Sequence, residues 1–171
     1  SDLAEYCGDG KAADALHLAD AEIANLFKVF PDFASVFEAA QTAASALRFA
    51  ARTCPERARD SVLHRVLRKQ DQLARVIHLA SGQEASATPS RDWLHPGERC
   101  DVTIEASPAT KVSLDLPAGW SRSGDTLQLD SSAELSDPYR AAYDPLNPDA
   151  PCLLVTHGSG DAEVVARLPF E

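Results

Sequence analysis

The chain has 171 residues, of which 44% are hydrophobic, and a formal net charge of −10. That length holds one sizeable domain or two small ones, and the apolar content is that of a packed protein rather than a disordered one. The acidic balance disfavours a nucleic-acid module, which needs a basic face, and no apolar run approaches the roughly 20 residues of a membrane span.

Helices are expected first. Leu16, Ala19, Ile23, Leu26 and Phe30 recur at three- and four-residue steps, the stripe of a helix with one buried face. Pro31-Asp32 ends it, and Asp32 can cap the next helix. Phe33, Val36, Phe37, Ala40, Ala44, Leu47 and Ala51 continue the pattern in an alanine-rich run whose small side chains allow close helix approach. Cys54-Pro55-Glu56 breaks that run and opens a third helix striped by Leu63, Val66, Leu67, Gln70, Leu73, Ala74 and Ile77. Short connections between long helices predict antiparallel neighbours, so residues 1–82 are read as a three-helix antiparallel bundle.

Residues 83–92, rich in Ser, Ala, Thr and Pro, are read as a linker. From 93 to 171 the period changes to two. Cys100, Val102, Ile104 and Ala106 alternate with polar residues, as do Val112, Leu114 and Leu116; Leu127/Leu129, Leu153–Val155 and Val164–Leu168 add shorter candidates. Short strands separated by Pro, Gly and Asp turns predict a small immunoglobulin-like antiparallel β-sandwich. Trp93 and Trp120 are expected in its core, and residues 131–151 in a long crossover loop. The fold class is thus α+β in two domains. The absence of methionine and the strand-like ending Leu168-Pro169-Phe170-Glu171 lead us to expect a fragment of something longer. The polar, acidic start has neither the basic nor the apolar region of a signal peptide.

Little chemistry is visible. The histidines are His17, His64, His78, His95 and His157, and none forms a His-x-x-x-His metal pair. His64 and His78 stand about 21 Å apart along one helix at the usual rise. His95-Pro96-Gly97-Glu98 reads as a turn launching a strand. His157-Gly158-Ser159-Gly160-Asp161 lacks the order of a hydrolase nucleophile elbow and reads as a hairpin turn. Asp144-Pro145-Leu146-Asn147-Pro148-Asp149 offers oxygens but no EF-hand spacing. No catalytic, cofactor-binding or metal residue is assigned.

Cys7, Cys54, Cys100 and Cys152 divide two and two between the halves and make no Cys-x-x-Cys pair. They fit one disulfide per half, Cys7 with Cys54 and Cys100 with Cys152, in an exported protein. The alternative is four buried thiols in a cytosolic one. Residues 52–80 carry 7 basic and 3 acidic side chains. Arg65, Arg68, Lys69 and Arg75 within them form either a solvated face or a docking surface for an acidic domain or glycan.

The order of the pieces carries a resemblance. An alanine-rich helical region leads into Leu67-Arg68-Lys69-Gln70-Asp71-Gln72-Leu73-Ala74-Arg75-Val76-Ile77-His78-Leu79-Ala80-Ser81-Gly82. Then come Leu94-His95-Pro96-Gly97-Glu98, a strand, and Val112-Ser113-Leu114-Asp115-Leu116-Pro117-Ala118-Gly119-Trp120. This resembles the region beyond the catalytic domain in long, exported bacterial members of the PIG-L (LmbE-like) deacetylase family. The resemblance implies a parent with a zinc-dependent N-deacetylase domain acting on N-acetylated sugars, and a periplasmic or secreted location. The family's His-Pro-Asp-Asp-Glu block and its His-x-x-His are not in this chain, so no catalytic residue carries over. The expected role is a non-catalytic accessory region that supports its own catalytic domain or presents glycan, with no cofactor of its own. Two other classes compete: a free-standing extracytoplasmic carbohydrate-binding or adhesion module, and a cytosolic helical interaction domain with reduced cysteines.

Overall fold

The computed structural model describes residues 3–108, 110–134, 150–160 and 163–170. The loop around Asp144–Asp149, and with it the oxygen-rich motif, lies outside the described residues. The fold is α+β, with four helices and two antiparallel sheets among the described residues. The helices are α1 (Leu3–Cys7), α2 (Lys11–Val29), α3 (Phe33–Thr53) and α4 (Glu56–Ser81). The strands are β1 (Ala85–Pro89), β2 (Arg99–Ala106), β3 (Lys111–Asp115), β4 (Trp120–Ser123), β5 (Thr126–Leu129), β6 (Cys152–His157) and β7 (Val164–Pro169). Among the described residues no helix is long and apolar enough to cross a membrane. Two compact units emerge: Ser1–Gly82 with His157–Ala166, and Gln83–Thr156 with Arg167–Glu171.

In the helical unit, α3 packs on both α2 and α4. It can do so because Ala39, Ala40, Ala43, Ala44, Ala46 and Ala50 are all buried on it. Methyl side chains on opposite sides let two neighbours approach its backbone at little entropic cost. Asp32 caps α3 as expected, accepting hydrogen bonds from the Ala34 amide (3.2 Å) and the Ser35 hydroxyl (2.6 Å). The Ser35 hydrogen bond holds its carboxyl below the usual aspartate range. Gly82 ends α4 in the left-handed conformation, φ 65°.

Three details differ from the periodic reading. α1 is an additional short helix, packed on α2 and α4, too brief to show a period. The α2 stripe is buried at Leu16 and Ala19 but opens toward the α2–α3 turn, where Phe27, Phe30 and Phe33 are exposed. Phe30 and Phe33 meet edge to face there, with centroids 6.3 Å apart. On α4 the buried line is Val62, Val66, Leu73 and Ile77, while Leu67 sits at its margin and is exposed. Steps of four, seven and four residues along this line keep one face of α4 inward and leave Leu67 outside it.

In the β unit the strands run β1-β2-β5-β4 in one sheet and β3-β6-β7 in the other. β1 lies within the stretch expected to be a linker. Ser86 and Thr88 alternate with buried Ala87, and the strand pairs antiparallel to β2 from Ala85↔Ala106 to Pro89↔Val102. Pro89 is tolerated because β1 is an edge strand and loses no inner hydrogen bond there. The buried faces are built from Ala87, Cys100, Val102, Leu127 and Leu129, and from Leu153 and Val155. Neither tryptophan belongs to them. Trp93 is 68% exposed in the segment before β2, and Trp120 is half-buried at the start of the edge strand β4. Small residues and aliphatics take the buried positions instead.

The alanine face of α3 is intolerant of bulk. Ala43→Leu, at a site with no exposure, is expected to cost about 1–3 kcal/mol, read as a lower urea midpoint of the helical circular-dichroism signal. Unchanged stability would show that α2 and α4 do not close on this face.

Candidate functional site

The β unit carries a groove of about 990 Å³, within the size range of sites that hold small ligands. Its aromatic lining is Trp93, Trp120 and Phe170. Polar groups from two segments line it: Arg91 and Asp92 before β2, and Asp130, Ser132 and Glu134 after β5. Each aromatic is placed by local backbone logic. Pro96-Gly97 forms the expected turn, with Gly97 at φ 87° and the Glu98 amide donating to the His95 carbonyl at 3.0 Å. The Glu98 carboxylate accepts from the His95 amide at 3.0 Å and pairs with Arg91 at 3.7 Å. The 91–98 segment is thereby folded back on itself. The His95 and Trp93 rings meet in a T-shaped contact with centroids 4.9 Å apart, so the indole is oriented while it remains 68% exposed.

Trp120 follows a second glycine turn. Gly119 sits at φ 84° beside Ala133, where an added Cβ would come within 3.2 Å of the alanine methyl. The Asp130 amide donates to the Gly119 carbonyl at 2.8 Å. Asp130 in turn accepts from the amide and hydroxyl of Ser132, both at 2.8 Å, which lowers its carboxyl pKa. It therefore stays ionised across the ordinary pH range. The result is a groove lined by indoles and carboxylates, with both glycine turns tied by backbone hydrogen bonds.

The histidines resolve differently. His157 ends β6 and precedes a turn with Gly158 and Gly160 both at positive φ, as its sequence implied. His78 and His157, 79 positions apart, meet inside the helical unit. His78 Nδ1 and His157 Nε2 are 3.3 Å apart, and both rings are buried. One ring donates and the other accepts, which requires at least one neutral imidazole. Burial lowers the pKa of both, and for His157 the neighbouring ring lowers it further. Nothing in the local sequence signals this pair; only the tertiary fold creates it. Among the described residues no cluster of three or more metal-ligating side chains occurs.

All four cysteines are buried thiols. Burial raises the pKa of the Cys7 thiol at the end of α1, with Cys54 adding to the effect and Arg57 opposing it, and the Cys54 thiol, at the C-cap of α3, donates to the Pro55 carbonyl at 3.7 Å. Cys100 and Cys152 lie on strands of different sheets; Cys100 is influenced by Asp101 and Arg91, and Cys152 Sγ lies 4.0 Å from Asp115 Oδ2. Arg65, Arg68, Lys69 and Arg75 are all exposed on α4, and Arg75 pairs with Asp71 at 3.5 Å.

The buried imidazoles make the helical unit sensitive to acid. Both folded-state pKa values lie below the ordinary histidine value, so between the two the unfolded chain binds more protons. Stability is full above about pH 6.5 and is lost as pH falls through that value toward the folded one. The thermal midpoint of the helical signal should fall from pH 7.5 to pH 5, and fall less in His157→Gln; equal slopes in the two proteins would refute the assignment. Comparison with known families, curated proteins and solved structures finds no match for the chain.

Proposed function

We propose that the chain is a non-catalytic accessory module of an exported carbohydrate-active protein, and that its β unit binds glycan in the tryptophan-lined groove. The observation that carries this reading is the exposed, oriented Trp93 in a groove whose lining also holds Asp92, Asp130 and Glu134. A sugar ring offers an apolar C–H face that stacks on indole, and hydroxyls that donate to Asp and Glu in charge-assisted hydrogen bonds. A lipid acyl chain would use the aromatics but leave the carboxylates without partners.

The parent we favour is the PIG-L-like zinc-dependent N-deacetylase that the sequence resembles, with zinc and catalysis in its own catalytic domain and a periplasmic or secreted location. On this reading the helical unit is a three-helix bundle that buttresses that domain, with the exposed Arg65, Arg68, Lys69 and Arg75 as its docking surface. The two sheets are the halves of an immunoglobulin-like sandwich. The chain passes from one sheet to the other between β2 and β3 and back before β4, which supports such an arrangement.

Titration of the chain with N-acetylated and de-N-acetylated chito-oligosaccharides, followed by tryptophan fluorescence and calorimetry, tests the reading. Saturable binding is expected, reduced at least tenfold in Trp93→Ala with the thermal midpoint retained. The chain with added Zn²⁺ should release no acetate from these substrates. Binding that survives Trp93→Ala, or robust turnover, would sink the proposal, and so would a parent gene without a His-Pro-Asp-Asp-Glu block for its deacetylase part.

A further inference from the structure

We propose that the groove of the β unit selects amino sugars whose nitrogen is free and protonated over their N-acetylated and their acidic counterparts, a preference that rests on the reading of that groove as a glycan site.

Charge is the first observation that carries it. Asp92, Asp130 and Glu134 line the groove, and Arg91 is the single basic side chain among the described lining residues. Arg91 is already matched by Glu98, at 3.7 Å. The side chains of Asp92 and Glu134 make no hydrogen bond or ion pair among the described residues. Asp130 accepts both of its Ser132 hydrogen bonds on Oδ1, which leaves Oδ2 to accept from a ligand. Those bonds also hold its carboxyl below the usual aspartate range, so the charge persists. The surroundings have the same sign. Residues 83–171 carry 15 acidic and 6 basic side chains, a net −9. Such a field draws cations in and holds anions off.

The second observation is the pairing of those carboxylates with aromatic surface. Trp93, 68% exposed, and Trp120 stand in the same lining. A neutral sugar offers hydroxyl donors but no counter-charge. A sugar ammonium brings three N–H donors and a positive charge to the carboxylates, and it can also lie against an indole face. N-acetylation removes that charge and leaves the nitrogen one N–H. A uronate or a sulfate would set like charges together, which costs affinity. Exposed ion pairs are individually weak, each worth up to about fivefold in affinity. A preference on the order of tenfold therefore needs two or three of the carboxylates acting together. An N-acetyl sugar becomes an amino sugar when water cleaves its amide, releasing acetate and leaving an amine that takes up a proton. The groove thus suits the product side of that class of reaction.

The test uses the full chain at about pH 7, where the helical unit keeps its stability and an amine of this kind is mostly protonated. Calorimetric titration compares a glucosamine oligomer with the same oligomer fully N-acetylated. At low salt the glucosamine oligomer should bind on the order of tenfold more tightly, and Trp93→Ala, with its thermal midpoint retained, should remove that binding. The preference should shrink to about twofold or less at roughly 0.5 M salt, where charges are screened within a few ångströms. It should shrink likewise in Asp92→Asn/Glu134→Gln. Equal or tighter binding of the N-acetylated oligomer, abolished by Trp93→Ala, would overturn the preference and leave the glycan reading standing. No saturable binding of either oligomer, or glucosamine binding that survives Trp93→Ala, would overturn both. A preference undiminished in Asp92→Asn/Glu134→Gln would overturn its assignment to these carboxylates.

Discussion

Close approach of helices across methyl groups is the constraint from which the helical unit follows. α3 has no large side chain on most of its buried surface; Ala39, Ala40, Ala43, Ala44 and Ala46 fill it instead. Dispersion between backbones and methyls replaces interlocking of larger side chains, and it does so toward α2 and α4 at once. Because α3 is central, its two ends become corners where other elements gather. The end near Cys54 receives α1 and Arg57. The end near Asp32 receives a cap and an exposed cluster of phenylalanines. A core made of small residues also leaves less apolar area to bury per residue, so caps, turns and the few large buried side chains (Val62, Val66, Ile77) matter more than they would in a leucine-packed bundle.

The β unit solves the opposite problem. Its strands run from four to eight residues, and its buried positions are taken by Val102, Leu127, Leu129, Leu153 and Val155. The two indoles follow or precede turns, Trp93 before β2 and Trp120 at the start of the edge strand β4. Glycine makes those turns possible at two positions. Gly97 permits the bend that folds Trp93 back, and Gly119 permits the close pass beside Ala133 that sets Trp120. Aromatic surface that is oriented and yet wet is costly to keep in water, and the proposed glycan would cover it.

Much of the architecture was legible in the chain itself. The alanine run, Asp32, Pro55 and Gly82 announced three helices and their ends, because capping and periodicity are local effects. The switch from a period near 3.6 to a period of 2 marked the second half. What escaped was non-local. α1 is shorter than two turns, so it has no period to read. β1 is composed of residues that also make linkers, and only its register with β2 makes it a strand. Tryptophan's size argued for the core, yet the depth of a core is set by strand length and pairing, not by any one residue. The His78–His157 contact depends on where β6 ends relative to a helix 79 positions earlier, and no spacing rule encodes that. The groove needed both glycine turns and the segment after β5 to be placed before its residues could be seen as neighbours.

Pro89 at the end of β1 has a consequence for the protein's behaviour in company. An edge strand offers its outward amides and carbonyls to any extended chain that passes, and a run of such offers is how sheets grow across molecules into fibres. β1 is five residues long and closes on a residue with no amide hydrogen to give. An incoming strand would lose its hydrogen bond at that end and gain few elsewhere. The same proline that made the segment look like a spacer therefore guards the sheet's flank, and helps keep each molecule's strands to itself at high concentration.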